Sequence, residues 1–115
     1  MSTAAGTHKE LGKITSVRIG ACGYQEAMFG IHFELSFQSG NIATEVVGGW
    51  DIKRTETCTW TEESRIDGIG NAFNELRLIM KKAKVTEFRK LEGKPIEITF
   101  DGMKLQSWRI LEEVL

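Results

Sequence analysis

Hydrophobic and polar positions alternate most cleanly in the second quarter of the chain. Phe29, Ile31, Phe33, Leu35 and Phe37 fall on one side of a two-residue repeat, and Gly30, His32, Glu34, Ser36 and Gln38 on the other. A repeat of that period predicts an antiparallel strand with one buried and one wet face, and it puts His32 on the wet one. A weaker alternation precedes it from Lys13 to Ala21. There Thr15, Val17, Ile19 and Ala21 share a face, and Ser16 and Arg18 take the other. Ser39-Gly40-Asn41 turns the chain into a third strand over Ile42 to Val47, which Gly48-Gly49 is expected to end.

The pattern then changes period. Ile66, Ile69, Phe73, Leu76, Met80 and Ala83 recur at spacings of three and four, forming one helical stripe that Ala72 and Ile79 widen. Thr59-Trp60-Thr61-Glu62 reads as a capping box, with Thr61 an equal candidate for the cap. Leu78 falls opposite the stripe, where it is free to touch another subunit. Gly68 and Gly70 each weaken the helix by about 1 kcal/mol relative to alanine, a cost that suggests close approach of backbone or ligand. Thr86 is placed to cap a short second helix through Leu91, terminated by Gly93. Pro95 opens a strand in which Ile96, Ile98 and Phe100 alternate with Glu97, Thr99 and Asp101, and Asp101-Gly102 makes a hairpin turn. On the return strand Leu105 and Trp108 have opposite parity, so a bulge near Gln106-Ser107 is needed to bring both inward. The sum is an α+β domain: an antiparallel β-sheet in βββ-α-ββ order with one long helix and a short second helix. Residues 1–11 read as a flexible tail and 12–115 as a single ligand-binding domain.

Composition narrows the class. A hydrophobic fraction of 41% with 27% charged residues is that of a soluble globular domain. No apolar run approaches the roughly 20 residues that span a bilayer, so no membrane partner is expected. Two cysteines, Cys22 and Cys58, are too few for a disulfide framework and suit a reducing cytoplasm. Charge is uneven: between Arg77 and Lys94 seven bases face only Glu87 and Glu92, although the whole chain carries −1. Such a field concentrates small anionic partners, or simply solvates a helix face, without making a binder of long nucleic acid.

Catalytic signatures are absent from the motifs of the chain. It has no Cys-x-x-Cys or Gly-x-Ser-x-Gly, its two His-x-Glu triplets (His8-Lys9-Glu10 and His32-Phe33-Glu34) have no such cysteine pair to complete a metal set, and neither cysteine has a histidine close in sequence. Residue types suited to binding are plentiful. Tyr24, Phe29, Trp50, Trp60, Phe73 and Trp108 offer flat apolar faces, and Arg65, Arg77 and Arg109 offer guanidinium forks that match phosphate oxygens. Gln25 and Asn74 are amides able to read a base or ribose edge. The loop Gly23-Tyr24-Gln25-Glu26-Ala27-Met28-Phe29-Gly30 holds more chemistry than a strand connection requires. Each of these residues also has a plain structural role open to it, with Phe73 in the core stripe and Trp108 under the helix.

That loop, together with Ala83-Lys84-Val85, Leu91-Glu92-Gly93-Lys94-Pro95-Ile96-Glu97 and the terminal Ser107-Trp108-Arg109-Ile110-Leu111-Glu112-Glu113-Val114-Leu115, resembles a phage family: the first-described type of Thoeris anti-defence sponge proteins. The resemblance spans about Gly12 to Leu115, carried between Gly48 and Thr61 mainly by Gly49-Trp50 and Trp60. It implies a non-catalytic protein, needing no cofactor, in the cytoplasm of the infected bacterial host. Its ligand would be a cyclic ADP-ribose isomer made by a TIR-domain enzyme, held rather than degraded. Dimers assembled into hexamers, and separate sites for the cyclic trinucleotides of CBASS defence, are further implications. On this resemblance Arg109 would take phosphate, Phe73 the base, and Asn74 or Arg77 adjoining polar atoms. Tyr24, Gln25, Glu26 and Met28 would line the loop side, beside Phe29, from the same or the neighbouring subunit, and Trp50 a wall. A cyclic-nucleotide hydrolase and a phage accessory protein-interaction module are the competing readings.

Overall fold

The computed structural model describes residues 6–22, 24–53 and 58–115. Five strands form one antiparallel sheet: β1 (Thr7–Cys22), β2 (Met28–Phe37), β3 (Ile42–Asp51), β4 (Pro95–Asp101) and β5 (Lys104–Ile110). Their spatial order is β3-β2-β1-β4-β5, and one long helix, α1 (Glu62–Ala83), packs mainly on β3. This is the α+β architecture that the alternation and the helical stripe predict.

β1 organises the sheet. Its first half, Thr7 to Lys13, pairs with β4, and its second half, Gly12 to Cys22, pairs with β2. Thr7 to Leu11, read from sequence as part of a tail, are therefore strand. Their composition is polar, but the partner is supplied by β4, some 90 residues away, which no local pattern reveals. A register shift between Ile14 and Ser16 corrects the expected faces. Ile14 and Val17 both point into the core, 0% and 6% exposed, while Thr15 turns out to donate its hydroxyl to the Glu34 carbonyl at 3.0 Å. An extra residue in one strand of a ladder reverses parity on either side of it.

The core face of β2 is as predicted, with Ile31, Phe33 and Leu35 fully buried. His32 departs from expectation at 5% exposure. It lies between Arg18 and Val46 in the cross-strand row, next to Gly20 and Gly30, which have no side chains to hold it up. Its ring rests against the Gly20 carbonyl, with Nε2 3.4 Å from the oxygen. β3 runs on through Gly48-Gly49 to Asp51 rather than ending there. The glycines serve close approach instead. A Cβ on Gly48 would lie 2.5 Å from the Ala72 Cβ of α1, so the helix seats directly on the strand backbone.

Thr61, the second of the two cap candidates, caps α1 by accepting from the Ser64 amide at 3.1 Å, and the Ser64 hydroxyl accepts from the Thr61 amide at 2.9 Å. The buried residues of α1 are Ala72, Leu76 and Ala83. The helix is thus rotated from the predicted stripe, leaving Ile66 and Phe73 61% and 43% exposed. Small alanines facing the sheet allow the close seating that the larger stripe residues would prevent. Lys84 ends the helix in the left-handed region at φ 59°. The short second helix is a single 3-10 turn, Phe88–Leu91, that begins after Glu87 without a side-chain cap, so Thr86 does not fill that role. Leu91 is its buried anchor. The expected bulge on β5 is present: Ser107 pairs with Thr99 and Leu105 with Phe100, which skips Gln106. It turns Trp108 inward, its ring centroid 5.3 Å from that of Phe33.

The radius of gyration is 16.1 Å, above the roughly 13 Å of a compact domain near this length. Several large apolar side chains stay open, including Ile42 (64%) and Val46 (50%). Among the described residues no helix is long and apolar enough to cross a membrane.

Candidate functional site

Three of the aromatic residues singled out from sequence meet at one end of the sheet. Phe29 and Trp50 are direct partners across β2 and β3, with ring centroids 6.4 Å apart. Phe73 of α1 approaches Trp50 at 5.8 Å and a 35° tilt. Gly68 of α1 lies over Trp50, where a Cβ would be in ordinary contact with the Trp50 Cβ at 3.5 Å. Trp50 is nearly covered, whereas Phe29 is 38% and Phe73 43% exposed. The cluster is therefore an open wall with a buried backing.

Polar groups lie alongside on the helix. Arg77 follows Phe73 by one turn, on the same flank. Its Nη2 donates to Asn74 Oδ1 at 3.2 Å, which leaves other guanidinium donors free to meet a ligand. Ile66, seven residues before Phe73, and Ile19, next in register to the Ala21–Phe29 pair, extend the apolar surface. Sequence reasoning assigned both to strand or stripe and missed them here, because only the helix rotation uncovers them.

The loop before β2 adjoins this wall through Phe29. Tyr24–Glu26 form a 3-10 turn in which Gln25 and Glu26 hold φ of 54° and 55°. Two successive non-glycine residues in that region cost on the order of 1–2 kcal/mol each. The Lys53 Nζ supports the turn by donating to the Gln25 carbonyl at 3.0 Å, and the Ile52 amide bonds the Ala27 carbonyl at 3.0 Å. Gly23 and the side chain of Tyr24 lie outside the described residues. Met28 is on the far side: its Cε is nearest the outer face of Gly49, opposite to Phe29, as strand alternation requires.

Arg109 does not join the wall within one protomer. It sits on β5, at the sheet edge opposite to β3 in strand order, and pairs with Glu97 of β4. Its Nε donates to Glu97 at 3.0 Å, and Nη1 and Nη2 donate to the two oxygens of Glu113 at 3.0 and 2.8 Å. These hydrogen bonds, Glu113 foremost, raise the Arg109 pKa further above its ordinary value. In return they hold the Glu113 carboxyl down to about 2 from 4.5.

A folded-state pKa below the ordinary value means the pair contributes above that ordinary value and is lost as pH falls toward about 2. The groups facing it are Arg109 and, through it, Glu97, which also lies 3.6 Å from the Lys9 ammonium. We expect the Glu113 side-chain carbon resonance to titrate near pH 2 rather than 4.5. A midpoint at the higher value would mean that the C-terminal turn is detached in solution.

A second concavity, about 280 Å³, lies between α1 and β5. Val47, Trp108, Arg109 and Ile110 line it together with Glu75, Ile79 and Lys82, from the flank of α1 opposite to Phe73. Lys81 and Lys82 lie in the last turn of α1 and Lys84 caps it, where the helix dipole favours cations. No family model, curated protein or solved structure matches this chain.

Proposed function

We propose that this protein captures a cyclic ADP-ribose isomer and holds it without cleaving it, removing a TIR-produced messenger of Thoeris defence in the cytoplasm of an infected bacterium. The observation that supports this best is the half-open Phe29–Trp50–Phe73 wall, with the Asn74–Arg77 pair one turn along the same helix flank. A ring base needs a flat apolar face, and an adjacent diphosphate needs a guanidinium within one residue's reach. The strained Gln25-Glu26 turn beside the wall is the kind of feature that clusters at binding sites.

Such a site is open on one side in the monomer. Tight capture favours a ligand largely enclosed, as small-molecule sites are. The expanded radius of gyration and the exposed apolar side chains suit assembly into a homo-oligomer, dimeric or hexameric, in which a neighbouring copy closes the wall. Arg109, remote from the wall in its own chain, would reach phosphate from such a neighbour. Binding of the cyclic trinucleotides of CBASS remains part of the proposal as an additional activity of the assembly.

The direct test is to heat the protein purified from cells making the messenger and to identify what is released by mass spectrometry. An intact cyclic ADP-ribose isomer is the expected product. A linear or hydrolysed product would favour a hydrolase, and a protein partner with no small molecule would favour a docking module. Within the site, Phe73→Ala removes the exposed ring of the wall. A stacked base contributes roughly 1–3 kcal/mol, so calorimetry should show affinity for cyclic ADP-ribose falling between about 5- and 150-fold. The fold of the protomer should persist, because Phe73 is 43% exposed and not part of the buried core. Unchanged affinity would place the base elsewhere.

A further inference from the structure

The end-on face of the Arg109 guanidinium, the edge that a phosphate would take, is occupied by a carboxylate. Nη1 and Nη2 hold Glu113 Oε1 and Oε2 at 3.0 and 2.8 Å, a two-oxygen fork of the geometry a phosphate also presents. The side edge is held separately, with Nε on Glu97 Oε1 at 3.0 Å. The two carboxylates differ in kind. Glu97 belongs to β4 and is 19% exposed, whereas Glu113 is 57% exposed in a terminal 3-10 turn. That turn is held by the Val114 amide to the Leu111 carbonyl at 3.3 Å and the Leu115 amide to the Glu112 carbonyl at 3.1 Å. An exposed turn held by two such bonds opens at little cost.

We propose that Glu113 is a built-in competitor for the ligand phosphate, and that it makes Arg109 selective for a multiply charged phosphate group over weaker anions. This rests on Arg109 being the phosphate donor in the capture reading. A diphosphate matches the fork and brings more charge than one carboxylate, so it displaces Glu113. A halide or a lone carboxylate offers no such gain and is turned away. Glu97 has the opposite role, since it fixes the orientation of the guanidinium and stays in place when Glu113 leaves.

Calorimetry with cyclic ADP-ribose at low salt, on the wild-type oligomer and on Glu113→Gln, Glu97→Gln and Arg109→Ala, tests this. An exposed ion pair contributes at most about 1 kcal/mol, so Glu113→Gln should bind about two- to fivefold tighter. Glu97→Gln, which also removes one negative charge, should bind more weakly; equal tightening in both variants would mean a general field effect and overturn the proposal. Hydrogen exchange at the Val114 and Leu115 amides of the wild type should quicken on saturation with the ligand. If Arg109→Ala loses binding while Glu113→Gln binds no tighter than wild type, the competitor role is wrong and the capture reading stands. If Arg109→Ala binds as wild type does, Arg109 takes no phosphate and the proposal fails. If the wild-type protein itself does not bind, the capture reading falls and this proposal with it.

Discussion

Replacing Phe33 with alanine should cost about 3–5 kcal/mol of unfolding free energy, the usual range for deleting a buried aromatic ring. Phe33 is fully buried at the middle of β2, opposite Val17 of β1, and its ring packs against Trp108 of β5. Both sides of the deleted ring are therefore lined by different strands, which restricts collapse into the space. A domain with a total stability of roughly 5–15 kcal/mol would lose a large share of it. Urea unfolding followed by circular dichroism measures this, and a shifted midpoint with an unchanged slope is the expected form. A loss below about 1 kcal/mol would mean that β5 does not close over the core at this point.

Gly12→Ala should be about as damaging, at roughly 3 kcal/mol or more, the upper part of the range for overpacking. Gly12 is where β1 changes partners: it pairs with Phe37 of β2 on one side and Ile96 of β4 on the other. A Cβ there would press into the Ser36 carbonyl oxygen and lie 3.1 Å from the Ile98 Cδ1. The first of these is backbone and has no rotamer by which to escape. The gain from a less flexible unfolded chain is only about 0.4–1 kcal/mol and does not offset the clash. Gly70→Ala supplies the contrast, because a Cβ there meets nothing within 4 Å. On an exposed helix position it should stabilise by about 1 kcal/mol. Thermal melts of the two variants should move in opposite directions, and equal shifts would refute the packing at Gly12.

The strand order along the chain, the α1 region, the Asp101-Gly102 turn and the β5 bulge were legible from residue pattern. Each is a local matter of period or turn chemistry. The bulge could be placed because Leu105 and Trp108 are both large and apolar at opposite parity, which leaves one solution. The shift at Thr15 was not legible: a threonine fits either face of a strand, and Ile14 had no stronger claim than Val17 until β2 supplied the register. The pairing of Thr7 to Leu11 with β4 was hidden for the same reason, since its residues are mostly polar and carry no periodic signal.

Of the candidate site, Phe29, Trp50 and Phe73 were chosen from sequence for their ring faces and are brought together. Asn74 and Arg77 also meet, as residues three apart on a helix must be able to do. Met28 points to the opposite face of β2 from Phe29, and Arg109 lies on β5, so a pocket holding them with the three rings would draw them from a neighbouring subunit. For Met28 the alternation with Phe29 already implies the opposite face.

Period-two and period-3.6 patterning settled the number and kind of elements, because burying apolar side chains dictates which positions face inward. Which flank of α1 would stand open was beyond that reach. It depended on Ala72 seating against Gly48, a contact between residues 24 positions apart that turns the helix and exposes Phe73. Pairing across the sheet, likewise, gave Arg109 the Glu97 carboxylate of β4, beside the Glu113 carboxylate of the turn that follows β5. Composition names the groups available for binding; long-range packing selects which of them can meet.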